Sequence, residues 1–128
     1  MKAAKRRLLI VDDEEDLVDM LALRLESTGL FDIARAHDGA AGLARAHDLK
    51  PDVVLLDNVM PGMDGWEVCT RLRCDPATKD TAIVMMTAGA PQESQRKARE
   101  CSADALILKP YDQAEVIQTL KSVSHAHL

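Results

Sequence analysis

The chain has 128 residues, of which 47% are hydrophobic and 29% are charged, and its formal net charge is −5. This length suits a single globular domain spanning residues 1–128, and the acidic balance argues against nucleic acid as a direct partner. No apolar run approaches the roughly 20 residues of a membrane span, and none forms a signal peptide core, so we expect a cytoplasmic protein without membrane contact.

Five short apolar runs predict five β-strands. They are Leu8–Val11, Phe31–Ala34, Val53–Leu56, Ala82–Met86 and Ala105–Leu108. A segment of helical character follows each run, which gives five β-α units. Continuous apolar strands that alternate with helices are typical of an α/β fold with a parallel sheet covered on both faces. Charged residues interrupt only the second run, so we expect it at an edge of the sheet.

The helical segments carry recognisable start and stop signals. Their predicted starts are Glu14, Asp38, Asp64, Pro91 and about Asp112. The first helix should end at Gly29, and the second should end before Lys50 and Pro51, because the residue before a proline disfavours helix. The predicted apolar face of the first helix consists of Leu17, Val18, Met20, Leu21 and Leu25.

Three cysteines, Cys69, Cys74 and Cys101, are scattered along the chain. Their number is odd and no C-x-x-C pair occurs, so the sequence indicates neither a disulfide framework nor a zinc site. We expect buried or half-buried free thiols.

Polar side chains stand where four of the predicted strands end. Asp12 and Asp13 follow the first strand, Asp57 the third, Thr87 the fourth and Lys109 the fifth. Each residue alone is explained as a cap or a loop residue. The carboxyl ends of parallel strands share one edge, however, and ligands bind there, so together these residues predict a site.

The charges of this predicted site suggest its chemistry. Three neighbouring carboxylates need a counter-charge, and ligation by oxygen alone favours Mg²⁺ or Mn²⁺ over a softer metal. With that cation and Lys109 neutralising oxygens, a carboxylate such as Asp57 can attack a phosphoryl group and hold it as an aspartyl phosphate. Thr87 could then donate a hydrogen bond to the new phosphoryl oxygens.

These residues lie in motifs that strongly resemble the receiver domain of bacterial two-component response regulators. The matching motifs are Leu9-Ile10-Val11-Asp12-Asp13-Glu14, the run from Pro51 to Asp57, Met60-Pro61-Gly62-Met63-Asp64-Gly65, Thr87-Ala88 and Lys109-Pro110. The resemblance covers nearly the whole chain. It implies a flavodoxin-like (βα)5 fold with strand order 2-1-3-4-5, an order for which receivers are themselves a standard example.

The resemblance also implies a role for each site residue. Asp57 would accept a phosphoryl group from a kinase phosphohistidine, as an autocatalytic phosphoacceptor rather than a turnover enzyme. The other implied roles are Asp13 and Asp57 as direct metal ligands, the Val59 carbonyl as a third ligand, Asp12 as a ligand mostly through water, Thr87 as the switch hydroxyl and Lys109 as the phosphate-binding lysine. A cis peptide bond is expected before Pro110.

Two positions depart from the family pattern. Receivers usually carry Tyr or Phe three residues before the lysine, where this chain has Leu106, so the aromatic switch coupled to Thr87 is missing and output would rely on backbone and helix shifts. Ser102 stands where the family frequently has glycine after the fourth helix. Either Ser102 adopts left-handed geometry at a cost of about 1 kcal/mol, or the helix ends differently.

The implied partners are a sensor histidine kinase or phosphotransfer protein, and a downstream protein or effector domain. The apolar fifth strand makes the face of helix 4, strand 5 and helix 5 the candidate surface for that contact or for a homodimer. The chain could be a stand-alone regulator or the receiver of a longer protein.

Two other classes of function stay open. One is a phosphatase of the haloacid dehalogenase type, which needs a second Asp at position 59, where Val59 stands. The other is an interaction module that works without phosphorylation, a hypothesis motivated by Leu106.

Overall fold

The computed structural model describes the backbone of residues 5–126 and the side chains of residues 5–123. The strands are β1 (Arg6–Val11), β2 (Phe31–Ala36), β3 (Val53–Asp57), β4 (Ala82–Thr87) and β5 (Ala105–Leu108). The helices are α1 (Glu15–Glu26), α2 (Gly39–Leu49), α3 (Gly65–Cys74), α4 (Pro91–Glu100) and α5 (Gln113–Ala126). Among these described helices, none combines the length and the apolar character that crossing a membrane requires.

The five strands form one parallel sheet in the order β2-β1-β3-β4-β5. The expected α/β fold and strand order are therefore confirmed, and β2 lies at an edge as its charge pattern predicted. The chain reverses its direction of travel across the sheet between β1 and β3, because β2 lies on one side of β1 and all later strands lie on the other. The ends of β1 and β3 consequently flank the crevice of the sheet.

Side chains alternate between the two faces of the sheet and build two apolar clusters. Leu8 and Ile10 point into the cluster that α1 and α5 cover, whereas Leu9 and Val11 point into the cluster beneath α2 and α3. The prediction for the face of α1 was wrong at one residue, since Met20 is 61% exposed. The i, i+3 and i+4 spacing does not decide which residue beside Leu21 faces the core, and α1 buries Ala22 instead of Met20.

Local signals fix the helix ends much as the sequence predicts. The Asp38 and Asp64 side chains cap α2 and α3 by accepting hydrogen bonds from Ala41 N at 2.7 Å and Glu67 N at 2.9 Å. Ser102 has a φ of 61°, so the residue after the C-cap of α4 adopts the left-handed conformation without glycine. The peptide bond between Lys109 and Pro110 is cis, as the resemblance implied.

A hydrogen-bonded clasp closes the amino edge of the sheet, opposite the crevice. Its centre is Arg73 in α3, whose guanidinium donates to Asp104 Oδ2 at 2.8 Å and to the carbonyls of Ser102 at 3.0 Å and Lys79 at 2.9 Å. The carbonyl of Thr81 accepts a further bond from Arg73. The clasp ties the end of α3 to the starts of β4 and β5.

Candidate functional site

The carboxyl edge of the sheet gathers the polar residues that end the strands. Asp57 and Thr87 are the last residues of β3 and β4, and Asp12 directly follows β1. Strand register places Asp57 beside Met86 and Thr87 beside Leu108, the residue before Lys109. The topology alone therefore brings four distant segments to one place.

Three carboxylates meet in this crevice. Asp12, Asp13 and Asp57 each offer an oxygen atom, and these atoms all lie within 4.8 Å of one another. Asp12 and Asp57 are buried, with 0% and 2% exposure, whereas Asp13 is open to solvent. Two buried acids and one exposed acid in such a space are costly when ionised unless a cation shares the site.

Asp12 shows this cost most clearly. Its Oδ1 accepts a hydrogen bond from Glu14 N at 2.9 Å, while its Oδ2 is buried and has no hydrogen-bond partner among the described residues. Burial raises the pKa of Asp12 from 3.8 to about 6, the Glu14 amide opposes the shift, and the Asp57 charge adds to it. A buried acceptor without a donor is the kind of group that binds a cation.

Asp57 has one fixed partner. Its Oδ1 accepts a hydrogen bond from Lys109 Nζ at 2.9 Å, and the lysine is itself partly buried. Burial raises the pKa of Asp57 although Lys109 opposes the shift. Burial also works against the charge of Lys109, but the contact with Asp57 outweighs it and raises the pKa of Lys109. The ammonium group therefore offsets part of the negative charge in the crevice.

Thr87 links this site to the loop before α4. The side chain is fully buried, and its Oγ1 accepts a hydrogen bond from Gly89 N at 3.0 Å. Its carbonyl accepts a second bond from Lys109 N at 2.8 Å. Because Oγ1 acts as an acceptor here, its own hydrogen can be donated to a group in the crevice.

The loop after Asp57 turns back tightly onto β3. Gly65 N donates to Asn58 O at 3.0 Å, and a Cβ atom on Gly65 would lie 2.2 Å from the Asp57 carbonyl oxygen. Only glycine permits that approach. The Val59 side chain is 69% exposed in this loop, and the assignment of its carbonyl as a metal ligand stays a prediction.

The donor set fits a hard divalent cation. It consists of carboxylate oxygens on Asp12, Asp13 and Asp57, and it includes the unpartnered Asp12 Oδ2. Mg²⁺ prefers oxygen ligands and keeps several waters, and the exposure of Asp13 leaves one side of the cluster open to water. The cluster contains only carboxylate ligands, with neither cysteine sulfur nor histidine imidazole.

Sequence reasoning did not identify Tyr111 and Asn58 at this edge. The Tyr111 hydroxyl and Asn58 Oδ1 are buried without a hydrogen-bond partner among the described residues. Burial raises the pKa of Tyr111, which lies within electrostatic reach of Lys109 and Asp12. Each of these residues directly follows a motif of the site, and that position in the sequence could have identified them as neighbours of the site.

The family position of the aromatic switch is filled by Leu106. This side chain is half-buried and packs against the cluster that lies beneath α2 and α3. It has no hydroxyl or ring face to follow a movement of Thr87. The contacts of Thr87 with Gly89 and Lys109 are therefore the polar connections that lead away from the site.

Comparison with known proteins gives a consistent result. A model of the response regulator receiver domain family matches residues 8–121. The chain is 35% identical over 117 residues to the DNA-binding dual master transcriptional regulator RpaA of Synechocystis. The matched region covers 91% of this chain and 48% of that protein. The chain is 36% identical over 118 residues to the phosphate regulon transcriptional regulatory protein PhoB of Pseudomonas aeruginosa, with 92% and 51% covered.

A solved structure agrees with these relatives. The chemotaxis protein CheY4 of Vibrio cholerae superimposes with a TM-score of 0.87 at 29% identity and covers 94% of this chain and 99% of that one. The chain spans about half the length of the curated relatives that it matches.

Proposed function

This chain belongs to the response regulator receiver domain family, and from that membership we propose that Asp57 accepts a phosphoryl group from the phosphohistidine of a sensor kinase or phosphotransfer protein. One observation carries the proposal. The buried Asp57 carboxylate contacts Lys109 Nζ at 2.9 Å, and one of its oxygens lies within 4.8 Å of an oxygen from each of two further carboxylates. This is the arrangement of nucleophile, fixed positive charge and acidic ligands that phosphoryl transfer requires.

The transfer is a single exchange of bonds. A carboxylate oxygen of Asp57 bonds to phosphorus while the bond from phosphorus to the histidine nitrogen breaks, and the imidazole keeps that electron pair. Lys109 faces the negative charge that accumulates on the phosphoryl oxygens, and its ammonium group is already in place. The chain modifies itself in this step, so it acts as an autocatalytic phosphoacceptor and not as a turnover enzyme.

Asp12, Asp13 and Asp57 would hold the divalent cation, with the Val59 carbonyl as a further ligand. Bound Mg²⁺ or Mn²⁺ would supply positive charge against the phosphoryl oxygens. The Glu14 amide orients the Asp12 carboxylate, because its bond to Oδ1 leaves the buried Oδ2 free to face a ligand.

The switch begins at Thr87. An aspartyl phosphate carries a charge of about −2 and attracts hydroxyl donors, so the Thr87 hydroxyl turns toward it. That movement weakens the bond from Gly89 N and rearranges the loop before α4. With Leu106 in place of an aromatic residue, the signal travels through this loop and through the backbone bond between Lys109 and Thr87.

The output is a protein contact. We assign it to the face of α4, β5 and α5, which would bind a downstream protein, an effector domain or a second copy of the chain. The net charge of −5 disfavours direct contact of this domain with nucleic acid.

Phosphoryl capture is tested with a small phosphodonor. Incubation with acetyl phosphate and Mg²⁺, followed by intact-mass measurement, should show one added phosphoryl group that Asp57→Asn abolishes. Asp52→Asn is the matched control, because Asp52 flanks the other end of β3 and binds Arg7 N at 2.8 Å. Undiminished labelling of Asp57→Asn, or its loss in Asp52→Asn alone, contradicts the assignment.

The switch is tested separately from capture. Beryllofluoride mimics the phosphoryl group and should increase hydrogen exchange in the loop before α4, with Thr87→Ala as the variant that loses this response. An unchanged α4 in the labelled chain would favour the interaction module that works without phosphorylation. Steady release of phosphate from monoesters would instead favour a phosphatase, a class for which Val59 is the wrong residue.

A further inference from the structure

Two of the three cysteines meet between α3 and the end of α4. Cys69 lies in α3 and is fully buried, and Cys101 is the C-cap residue of α4 with 5% exposure. The Cys69 thiol donates a hydrogen bond to the Cys101 carbonyl at 3.2 Å. Cys74 lies one helical turn beyond Cys69 but is exposed, so it does not join the pair.

The Cys101 thiol lies 3.6 Å from the Ala98 carbonyl and within the influence of the Cys69 thiol. The contact with the Cys69 thiol lowers the pKa of Cys101 to about 7, against the effect of burial, and nearby amides and Arg73 contribute in the same direction. The same contact and burial raise the pKa of Cys69. The interaction between the two groups therefore favours loss of the proton from Cys101 and its retention on Cys69.

Cys101 is 5% exposed and borders a groove that is open to solvent. It lies in the wall of an open groove of about 220 Å³ between α3 and α4, together with Trp66, Thr70 and Lys97. A molecule the size of a peroxide fits into this space, and the positive charge of Arg73 helps to lower the pKa of Cys101. Cys69 has no exposed surface and is not among the residues that line this groove.

We propose that Cys69 and Cys101 form a reversible disulfide in response to a peroxide, with Cys101 as the reacting sulfur and Cys69 as the resolving one. The Cys101 thiolate attacks a peroxide oxygen, so an S–O bond forms, the O–O bond breaks, and the leaving hydroxide takes a proton to become water. The Cys69 sulfur then displaces the hydroxyl group of the sulfenic acid, which leaves as a second water with the Cys69 proton. Two thiols are oxidised, and one hydrogen peroxide is reduced to two waters.

The bond would join the middle of α3 to the C-terminal end of α4. Resting on the proposed function, this tether opposes any shift of α4 that the phosphoryl group induces. Oxidation would then reduce the output of the switch while leaving phosphoryl capture at Asp57 intact, because neither cysteine is among the residues of that site. The formation of the disulfide itself does not depend on the proposed function.

The test uses the chain with Cys74→Ser, which removes the exposed thiol and with it disulfides through that residue. After treatment with hydrogen peroxide, the intact mass should fall by two hydrogen atoms per chain, and non-reducing peptide mapping should join the peptides that contain Cys69 and Cys101. A thiol reductant should restore the original mass. Added Cys69→Ala should leave Cys101 as a sulfenic acid that dimedone traps, whereas added Cys101→Ala should make the chain inert.

Three results would overturn the proposal: an unchanged mass, a gain of oxygen without a cross-link, or a disulfide that joins two chains. The unsubstituted cysteine pair in the Cys74→Ser background gives the decisive result even if the alanine variants fold poorly, which circular dichroism would reveal. The effect on the switch is measured next, by hydrogen exchange of α4 with beryllofluoride before and after oxidation. A disulfide without change in that response would refute the tether, and absence of any beryllofluoride response in the reduced chain would count against the switch itself.

Discussion

The two edges of the sheet carry the same kinds of side chain and use them in opposite ways. At the amino edge, Arg73 donates to Asp104 and to three backbone carbonyls, and Asp104 also accepts a bond from Ile83 N at 2.7 Å. At the carboxyl edge, Asp12 and Asp57 are buried with fewer donors, and Asp12 Oδ2 has none among the described residues.

The pKa values record this difference. Burial raises the pKa of Asp12 and Asp57 at the carboxyl edge, so folding there opposes ionisation. At the amino edge, a hydrogen bond from His47 and one from the Ala77 amide lower the pKa of Asp75, so folding there favours ionisation. One edge is satisfied by the protein itself and stabilises it. The other has acceptors in excess and is suited to bind a cation and a phosphoryl group.

The largest expected effect comes from opening the satisfied edge. Arg73→Met keeps much of the apolar stem and removes the guanidinium, so Asp104 loses one of its donors and the carbonyls of Ser102, Lys79 and Thr81 lose their bonds from Arg73. Because the Arg73 and Asp104 side chains are only 18% and 28% exposed, the free energy of unfolding should fall by about 2 to 4 kcal/mol. Urea unfolding measures it.

Arg71→Met is the matched control on the same helix. Arg71 pairs with Glu67 across one turn, and both side chains are at least half exposed, so its loss should cost no more than about 0.5 kcal/mol. Equal losses for the two variants would mean that the clasp is no stronger than a surface ion pair. The proposed stabilisation of the protein by the amino edge would then be wrong.

The second expected effect is a pH dependence at the carboxyl edge. The folded pKa of Asp12 is raised from 3.8 to about 6, so the folded chain holds its proton more tightly than the unfolded chain. The resulting stability is present below the unfolded pKa and is lost as the pH rises through about 6. At about 1.4 kcal/mol per pKa unit, the loss is on the order of 3 kcal/mol.

Urea unfolding from about pH 4 to about pH 7 measures this loss, with and without Mg²⁺. A cation that binds the ionised carboxylates of the folded chain should cancel the fall in unfolding free energy. Because Asp75 contributes a slope of the opposite sign, the informative quantity is the difference between the two series. No effect of Mg²⁺ on the pH profile would remove the carboxyl edge as a cation site.

A smaller effect, of opposite sign to the Arg73 variant, is expected for Asp12→Asn. The amide keeps an acceptor for Glu14 N and carries no charge, so the metal-free chain should gain about 1 kcal/mol at neutral pH. Asp52→Asn at the amino edge also keeps an acceptor for Arg7 N, but Asp52 is exposed, so no buried charge is removed and the stability should stay within about 0.5 kcal/mol. Thermal unfolding of both variants checks the contrast, and a loss in Asp12→Asn would show that its charge is satisfied after all.

The sequence predicted the fold well because periodicity and caps are local signals. The five apolar runs became the five strands, and Asp38 and Asp64 became the expected caps. The residues of the carboxyl edge could be grouped from the sequence alone, since parallel strands place their ends at one edge. Met20 failed because spacing alone does not decide which neighbour of a helical stripe meets the core.

What the sequence did not reveal depends on contacts between distant segments. Nothing near Arg73 in the sequence marks Asp104 as its partner, because the contact depends on how α3 lies across the starts of β4 and β5. The same reason explains why Cys69 and Cys101 were predicted only as separate thiols. The sequence allowed Ser102 to end α4 in either of two ways, and its φ of 61° shows that it adopts the left-handed backbone.

The smallest expected effect tests the satisfied edge with a single proton. His47 in the last turn of α2 contacts Asp75 Oδ2 through Nδ1 at 2.8 Å, and this hydrogen bond raises the pKa of His47. The stability that the pair contributes is therefore present below the unfolded pKa of the histidine and is lost as the pH rises through the higher folded value. Asp75→Asn should return the pKa of His47 toward its ordinary value, as measured by NMR titration, and added salt should do so in part because the pair is exposed to solvent. A pKa of His47 that stays high in this variant would assign the shift to other charges near α2, and the contact with Asp75 would then not account for the protonation of His47.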